Sequence, residues 1–306
     1  MKKGYATPQA MENAIRSKAG LLARELGVTP SDQVMRFYFQ RLLARVFQED
    51  GWMLKGGQAL LVRYPGQARS SRDADLFRPA TEEIAEAVAA LERAARRDLD
   101  DYFTFVPVSI ESEGNSAKVK LEVLIGLRSK TFISVDLVVK RTPTAEPTLA
   151  RLEPIVRTEW PDTWPDVLLY PLPDHIADKI CAMYEQHDRN DGRRVPSTRF
   201  RDLGDLLLIS QQETIEGRAV QFALASELTR RRTIPTISLT LPSSFEIPDQ
   251  ESWALGYPKA AMEITGLRGC RTLPEATAAA EVFISPLLRT GDPGFWTPST
   301  TRWTSR

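Results

Sequence analysis

The chain has 306 residues, 42% hydrophobic and 26% charged, and its 40 basic and 40 acidic side chains balance to a formal charge of zero. That length suits two lobes, each able to bury a core without staples. The balance excludes a molecule-wide positive field, so a nucleic-acid partner must be held by a local patch. Cys181 and Cys270 are the only cysteines, and His175 and His187 the only histidines. This gives no disulfide framework, no four-ligand zinc site built on cysteines and no histidine-rich metal centre. The basic N-terminal stretch has no apolar run of signal-peptide length, and no segment approaches the ~18 apolar residues of a membrane span. A cytoplasmic setting without membrane association is expected.

Thr7-Pro8 reads as a helix start, with Met11, Ala14, Ile15, Leu22 and Leu26 at helical spacing and Gly27 as the stop. Thr29-Pro30-Ser31 starts a second helix, with Phe37, Leu42, Leu43, Val46 and Phe47 as its apolar stripe. Residues 52–54 read as a short buried strand, Lys55-Gly56-Gly57 as a tight turn, 58–63 as the start of a helix and 66–71 as a loop. Residues 73–77 read as a strand with alternating faces. Residues 81–97 form a strong helix pattern, acidic early and basic late as the helix dipole favours. Three strands are predicted at 103–111, 118–125 and 131–139. Residues 141–170 carry Pro143, Pro147, Pro154, Pro161 and Pro165 and read as a crossover or linker. Helices are then predicted at 174–186, 198–211, 215–230, 251–264 and 274–283. From Gly291 the Pro/Ser/Thr-rich sequence reads as a poorly packed tail. The predicted organisation is an α/β lobe over 1–145, a mostly helical lobe over 146–290 that completes the active site, and a flexible tail over 291–306.

Two groups of residues carry the first chemical signal. A Gly56-Gly57 turn lets backbone N–H groups approach phosphates without a side chain in the way, and a helix starting after it aims its positive end at them. In Ser71-Arg72-Asp73-Ala74-Asp75 the two aspartates of a strand share a face about 7 Å apart, an arrangement of hard oxygen ligands that suits Mg²⁺ on a triphosphate. Asp136 lies in the otherwise apolar run Phe132 to Val139. A buried unpaired carboxylate is costly. Asp136 therefore either joins Asp73 and Asp75 in a three-carboxylate site for two metal ions, or caps a turn or pairs with an arginine.

Lys179 borders the apolar face formed by Ile176, Ile180 and Met183. It is either a cation at the rim of a cleft, able to neutralise phosphate charge, or a surface lysine. Asp202 and Asp205 lie three apart on one helix, as either site carboxylates or members of a salt-bridged face with Arg199 and Arg201.

Taken together, Lys55-Gly56-Gly57-Gln58-Ala59-Leu60, Arg69-Ser70-Ser71-Arg72-Asp73-Ala74-Asp75-Leu76, His175-Ile176-Ala177-Asp178-Lys179 and Arg201-Asp202-Leu203-Gly204-Asp205-Leu206 resemble, in order, the motifs of the AbiEii family of nucleotidyltransferase toxins, which includes the MenT-type toxins. The resemblance spans residues 52–210. It implies a nucleotidyltransferase-fold lobe with a mixed sheet, followed by a helical lobe. It implies that Ser71 and Asp73 sit at nucleotide and metal with Asp75 beside them, that Lys179 contacts the nucleotide phosphates and that Asp202, or Asp205 in its place, completes the site. It further implies a toxin of a type IV toxin–antitoxin or phage-defence system, with an AbiEi-type antitoxin encoded alongside.

The expected activity is Mg²⁺-dependent (or Mn²⁺-dependent) transfer of nucleotides from a nucleoside triphosphate to RNA, at the 3′ acceptor end of tRNA, with release of pyrophosphate. Asp73, Asp75 and Asp136 would hold metal, and Lys55, Gly56, Gly57, Ser71 and Lys179 would hold nucleotide. Arg193, Arg194, Arg199, Arg230, Arg231 and Arg232 are candidate RNA contacts. The alternatives are transfer of a nucleotidyl or phosphoryl group to a protein hydroxyl, and a non-enzymatic nucleotide sensor.

Overall fold

The computed structural model describes residues 4–78, 83–160, 164–188, 194–234 and 237–305. It separates into two compact units. The first comprises Met1–Gly66, Ser70–Thr142 and Pro147–Tyr170, the second Gln67–Arg69, Pro143–Glu146 and Pro171–Arg306.

The first unit opens with α1 (Pro8–Leu26) and α2 (Pro30–Val46), both started as their sequences predict. Thr7 Oγ1 accepts from the Ala10 N–H and Thr29 Oγ1 from the Asp32 N–H, each ahead of a proline. Such caps are worth about 1 kcal/mol each. Gly27 ends α1 in the left-handed conformation. There follow β1 (Met53–Lys55), α3 (Gly56–Arg63), β2 (Asp73–Phe77), α4 (Ile84–Ala95), β3 (Phe103–Glu113), β4 (Ser116–Ile125) and β5 (Arg128–Val138). The start of the helix predicted from 81 lies outside the described residues. The proline-rich stretch after 141 contributes two further strands, β6 (Thr148–Arg151) and β7 (Asp166–Leu169), rather than a plain linker. Edge and near-edge positions explain why strands this short tolerate flanking prolines.

The sheet order is β3-β4-β5-β2-β1-β7-β6. β2 runs parallel to β5 and β1 parallel to β7, while the other pairs are antiparallel. One face is apolar. Ala117, Val119, Leu121 and Val123 of β4 and Ile133, Val135 and Leu137 of β5 are buried with Ala87, Ala90, Leu91 and Ala94 of α4 and Phe37, Leu42 and Leu43 of α2. Period-2 alternation turns the intervening residues to the other face. Within this unit, Arg41 and Arg45 of α2 close on a fully buried Asp101. Burial works against the Asp101 charge, but the two guanidiniums outweigh it and hold its carboxyl below the usual range. Burial pulls Arg41 down to about 10 despite Asp101.

The second unit contains α5 (Leu172–Tyr184), α6 (Phe200–Gln212), α7 (Gly217–Arg231), α8 (Gln250–Met262) and α9 (Leu273–Leu288). Two small sheets join them. One is built from β8 (Glu185–Asp188), β9 (Arg194–Pro196) and β11 (Ile237–Leu239). The other is built from β10 (Ile215–Glu216), β12 (Phe295–Thr297) and β13 (Arg302–Thr304). The stretch read from composition as a tail thus folds back as a hairpin. Trp296 is buried, donates from Nε1 to the Ser210 carbonyl at 2.7 Å and packs its ring on Phe283, with Trp303 stacked beside it. Two tryptophans, with Phe295 beside them in β12, supply the apolar area that orders a segment otherwise rich in Pro, Ser and Thr.

Candidate active site

Of the residues expected to hold nucleotide and metal, all but Lys179 lie in the first unit. β1 delivers Lys55 and the Gly56-Gly57 turn, and β2 delivers Asp73 and Asp75. Gly56 has φ +62°, and a Cβ there would collide with Asp75 Oδ2. A Cβ on Gly57 would lie 2.6 Å from Ser71 Oγ. Both glycines are therefore required by the closeness of the turn to the functional side chains, beyond the backbone conformation of one of them. The two glycines are themselves the first residues of α3, which among the described residues has no side-chain cap, so their N–H groups and that of Gln58 form an open helix end of the kind that binds anions. Ser71 Oγ donates to Asp73 Oδ1 at 2.9 Å.

The sheet register places the third carboxylate. Asp75 lies opposite Asp136 of β5, and Asp73 opposite Ser134. Lys55 lies opposite Asp75 on the other side, and Lys118 of β4 opposite Asp136. One row across the sheet thus reads Lys55, Asp75, Asp136, Lys118. The lysine nitrogens stand 3.9 Å from Asp75 Oδ1 and 3.9 Å from Asp136 Oδ1. Adjacent strands are ~4.8 Å apart, and like charges directly opposite are unfavourable. A cation between two carboxylates in this register would add to the neutralisation that the two flanking lysines begin. By donor chemistry, three carboxylates and a hydroxyl fit a hard divalent ion. As the side chains stand, no three Asp, Glu, His or Cys groups among the described residues converge on one point. The structure thus shows the shared face and not a closed cage. Sequence reasoning did not find Lys118. Its alternation with buried neighbours was visible, but its place beside Asp136 depends on strand register.

A second cluster lies within the second unit. Lys179 of α5 donates to Asp202 Oδ1 and Asp205 Oδ2 of α6, both at 2.7 Å. Arg69 grips Asp205 with two bonds, Nε to Oδ1 at 3.1 Å and Nη2 to Oδ2 at 2.9 Å. Lys179 is buried rather than at the surface. Burial opposes its charge, but Asp202 and Asp205 outweigh it and raise its pKa above the ordinary lysine value. Burial likewise opposes ionisation of Asp205, and Lys179 and Arg69 overcome it, lowering its pKa. Asp205 is completely enclosed and bonded on both oxygens. Asp202 is also buried, but among the described residues its second oxygen has just Arg199, at 3.8 Å. Asp205 is thus committed to holding Arg69 and Lys179 in place. Asp202 is the carboxylate with capacity for a further contact.

The candidate RNA contacts divide. Arg193 and the Arg194 side chain lie outside the described residues. Arg199 and Arg232 are exposed, and Arg230 is bonded to Glu227. Arg231 is buried between Asp178, Glu185 and Glu227. Burial disfavours its charge, but those three carboxylates raise its pKa above the ordinary value. Arg231 is a structural ion-pair centre and no phosphate contact. Among the described residues no helix is long and apolar enough to cross a membrane.

Residues 38–273 match the family described as "Nucleotidyl transferase AbiEii toxin, Type IV TA system". Among solved structures, the chain resembles MenT4, a nucleotidyltransferase toxin from Mycobacterium tuberculosis H37Rv. The two are 18% identical with a TM-score of 0.50, over 89% of this chain and 99% of that one. It also aligns with JHP933 from Helicobacter pylori at 15% identity and a TM-score of 0.42, over 81% of this chain and 88% of that one. No curated protein sequence matches significantly.

Proposed function

This chain belongs to the AbiEii family of nucleotidyltransferase toxins of type IV toxin–antitoxin systems, and from that premise we propose that it adds nucleotides from a nucleoside triphosphate to the 3′ end of RNA, with tRNA as the acceptor. The observation that carries this reading is the packing of the Gly56-Gly57 turn directly against Asp75 and Ser71, on the face where Asp136 stands in register.

The turn and the start of α3 cradle the triphosphate through backbone N–H groups. Lys55 lends positive charge beside Asp75. Ser71, bonded to Asp73, keeps that carboxylate oriented. Asp73, Asp75 and Asp136 would hold Mg²⁺, or Mn²⁺ in its place; when bound, the ion supplies Lewis-acid neutralisation of phosphate charge. In the transfer, the terminal 3′-oxygen of the acceptor bonds to the α-phosphorus. The bond to the β-phosphate bridging oxygen breaks, and pyrophosphate leaves with that electron pair. The hydroxyl proton passes to a carboxylate oxygen of Asp136, then to solvent. Positioning and charge neutralisation supply most of the rate. We assign Lys179 to the nucleotide phosphates, with Asp202 positioning it. Arg199 and Arg232 remain for RNA phosphates. The neighbouring partner is a cognate antitoxin of the AbiEi type.

The test is incubation with total tRNA, Mg²⁺ and each α-labelled nucleoside triphosphate in turn, beside Asp73→Ala. Label on tRNA that Asp73→Ala abolishes supports the reading. Label on a protein band, resistant to nuclease, replaces the RNA acceptor with a protein hydroxyl. No label with any donor, from folded protein, overturns the RNA reading.

A further inference from the structure

The sheet of the first unit has an open face, and the residues on it form rows that lead away from the carboxylates. The first row is Lys55, Asp75, Asp136, Lys118, ending at Glu111 of β3. The second is Asp73, Ser134, Lys120, Ser109. The third is Phe132, Glu122, Val106. The opposite face of the same strands is core. Phe132 is 48% exposed and Val106 38% exposed, large apolar groups left to solvent on a sheet that had a core to bury them in. Lys120 Nζ stands 4.7 Å from the centre of the Phe132 ring. Lys118, although beside Asp136, is also largely exposed.

We infer that this face is the seat of the acceptor strand: a single-stranded RNA end lies along β5 and β4, a base stacked on Phe132, backbone phosphates on Lys120 and Lys118, and the terminal hydroxyl delivered to Asp136. The inference rests on the proposed transfer to RNA and specifies where on the site the RNA binds. Three observations carry it. The aromatic and the two lysines lie on the same face as the carboxylates and are continuous with them by register. The separation fits, because Phe132 lies four positions before Asp136 on β5, about 13 Å. That is a run of no more than about four stacked nucleotides at ~3.4 Å each. The composition fits as well: a base takes the place of the Lys120 ammonium that lies over the ring, and the displaced ammonium holds the phosphate that follows it. Glu122 and Glu111 offset the lysines, so the face captures one short end rather than coating itself with duplex. That agrees with the zero net charge of the chain.

The experiment uses the full chain with Phe132→Ala and, separately, Lys120→Ala. Both residues are at the surface, so loss of folding does not confound the result. Two quantities are read: the KM for acceptor RNA and for nucleoside triphosphate under transfer conditions, and the affinity for a short 5′-labelled single-stranded RNA at graded salt without triphosphate. The expected result is a rise of about tenfold in RNA KM and in the oligonucleotide dissociation constant for Phe132→Ala, with the triphosphate KM as in the wild type. For Lys120→Ala the slope of log affinity against log salt is expected to fall by about 1. If both variants transfer to RNA with unchanged RNA KM and unchanged salt slope, the platform is overturned and transfer to RNA stands. If Phe132→Ala instead loses capture of the cognate antitoxin, with RNA KM unchanged, the face belongs to a protein partner and the inference falls. If the wild type labels no RNA with any donor, the reading beneath has failed. The platform then survives only if the oligonucleotide binds and Phe132→Ala releases it, and falls otherwise.

Discussion

Asp75 and Asp136 occupy the same register position on the parallel neighbours β2 and β5, two carboxylates side by side with a lysine on either flank. Like charges placed opposite each other are unfavourable, and a cation bound between them would offset that beyond what the flanking lysines do. Asp136→Asn removes one of the two neighbouring charges and a proposed metal ligand. Transfer activity is expected to fall about 100-fold or more, while the thermal midpoint without metal stays level or rises. A marked drop in midpoint together with the loss of activity would show Asp136 to be a structural residue.

The same pair predicts metal-linked stability. Added Mg²⁺ at ~100 times its dissociation constant stabilises by about 2.7 kcal/mol. The thermal midpoint of the wild type should rise by several degrees. Asp75→Asn and Asp136→Asn should lose that rise. Scanning fluorimetry with and without Mg²⁺ reads it directly, and an undiminished shift in both variants would place the metal elsewhere.

Gly56 and Gly57 are expected to tolerate no side chain. In Gly56→Ala the left-handed backbone costs about 1–2 kcal/mol, and the new methyl displaces Asp75. Activity should fall far more than stability. In Gly57→Ala the strain is absent, and the effect runs through Ser71 alone, so this variant should keep more stability. Equal activity of both variants to the wild type would remove the turn from the site.

Asp202 and Asp205 should separate in their phenotypes. Asp205→Asn leaves Lys179 and Arg69 short of a charge in a buried setting, a loss on the order of 3–5 kcal/mol in unfolding free energy. Asp202→Asn retains the Asp205 bonds and should cost less stability but more activity. Urea denaturation and steady-state transfer, measured on both, decide the assignment. The reverse pattern would make Asp205 the functional carboxylate.

Acid should unfold the protein partly through Asp101. Its folded pKa lies below the usual carboxylate value, and unfolded Asp titrates near ~3.9. Its stabilisation is therefore complete above that value and is lost as pH falls through it toward the folded pKa. At neutral pH, Asp101→Asn should show a much lower urea midpoint than the wild type. The gap should narrow below about pH 4. A constant gap across that range would assign the loss to packing.

Much of the candidate site was legible locally. Asp73 and Asp75 needed only the two-residue period of a strand, and the Gly56-Gly57 turn only the absence of side chains. Lys179 was less legible. A lysine bordering an apolar helical face reads equally as surface or site, and its burial between two carboxylates of another helix is a non-local fact. Arg231 shows the same limit. Three consecutive arginines look like a basic patch, yet the middle one is enclosed by three carboxylates drawn from α5, its C-cap and α7.

The sequence by itself determined the caps at Thr7 and Thr29, the alternation of β4 and β5, the order of the four motifs and the pairing of Asp73 with Asp75 on one face. All of these depend on residues within a few positions of one another, where backbone geometry alone dictates the outcome. Tertiary structure alone decided that Asp136 joins Asp75, that Lys118 and Phe132 share their face, that Gly57 meets Ser71, and that the proline-rich stretch and the final residues supply strands. Each of these depends on register or packing between distant segments, which is fixed by burying one common core and has no signature in any local window.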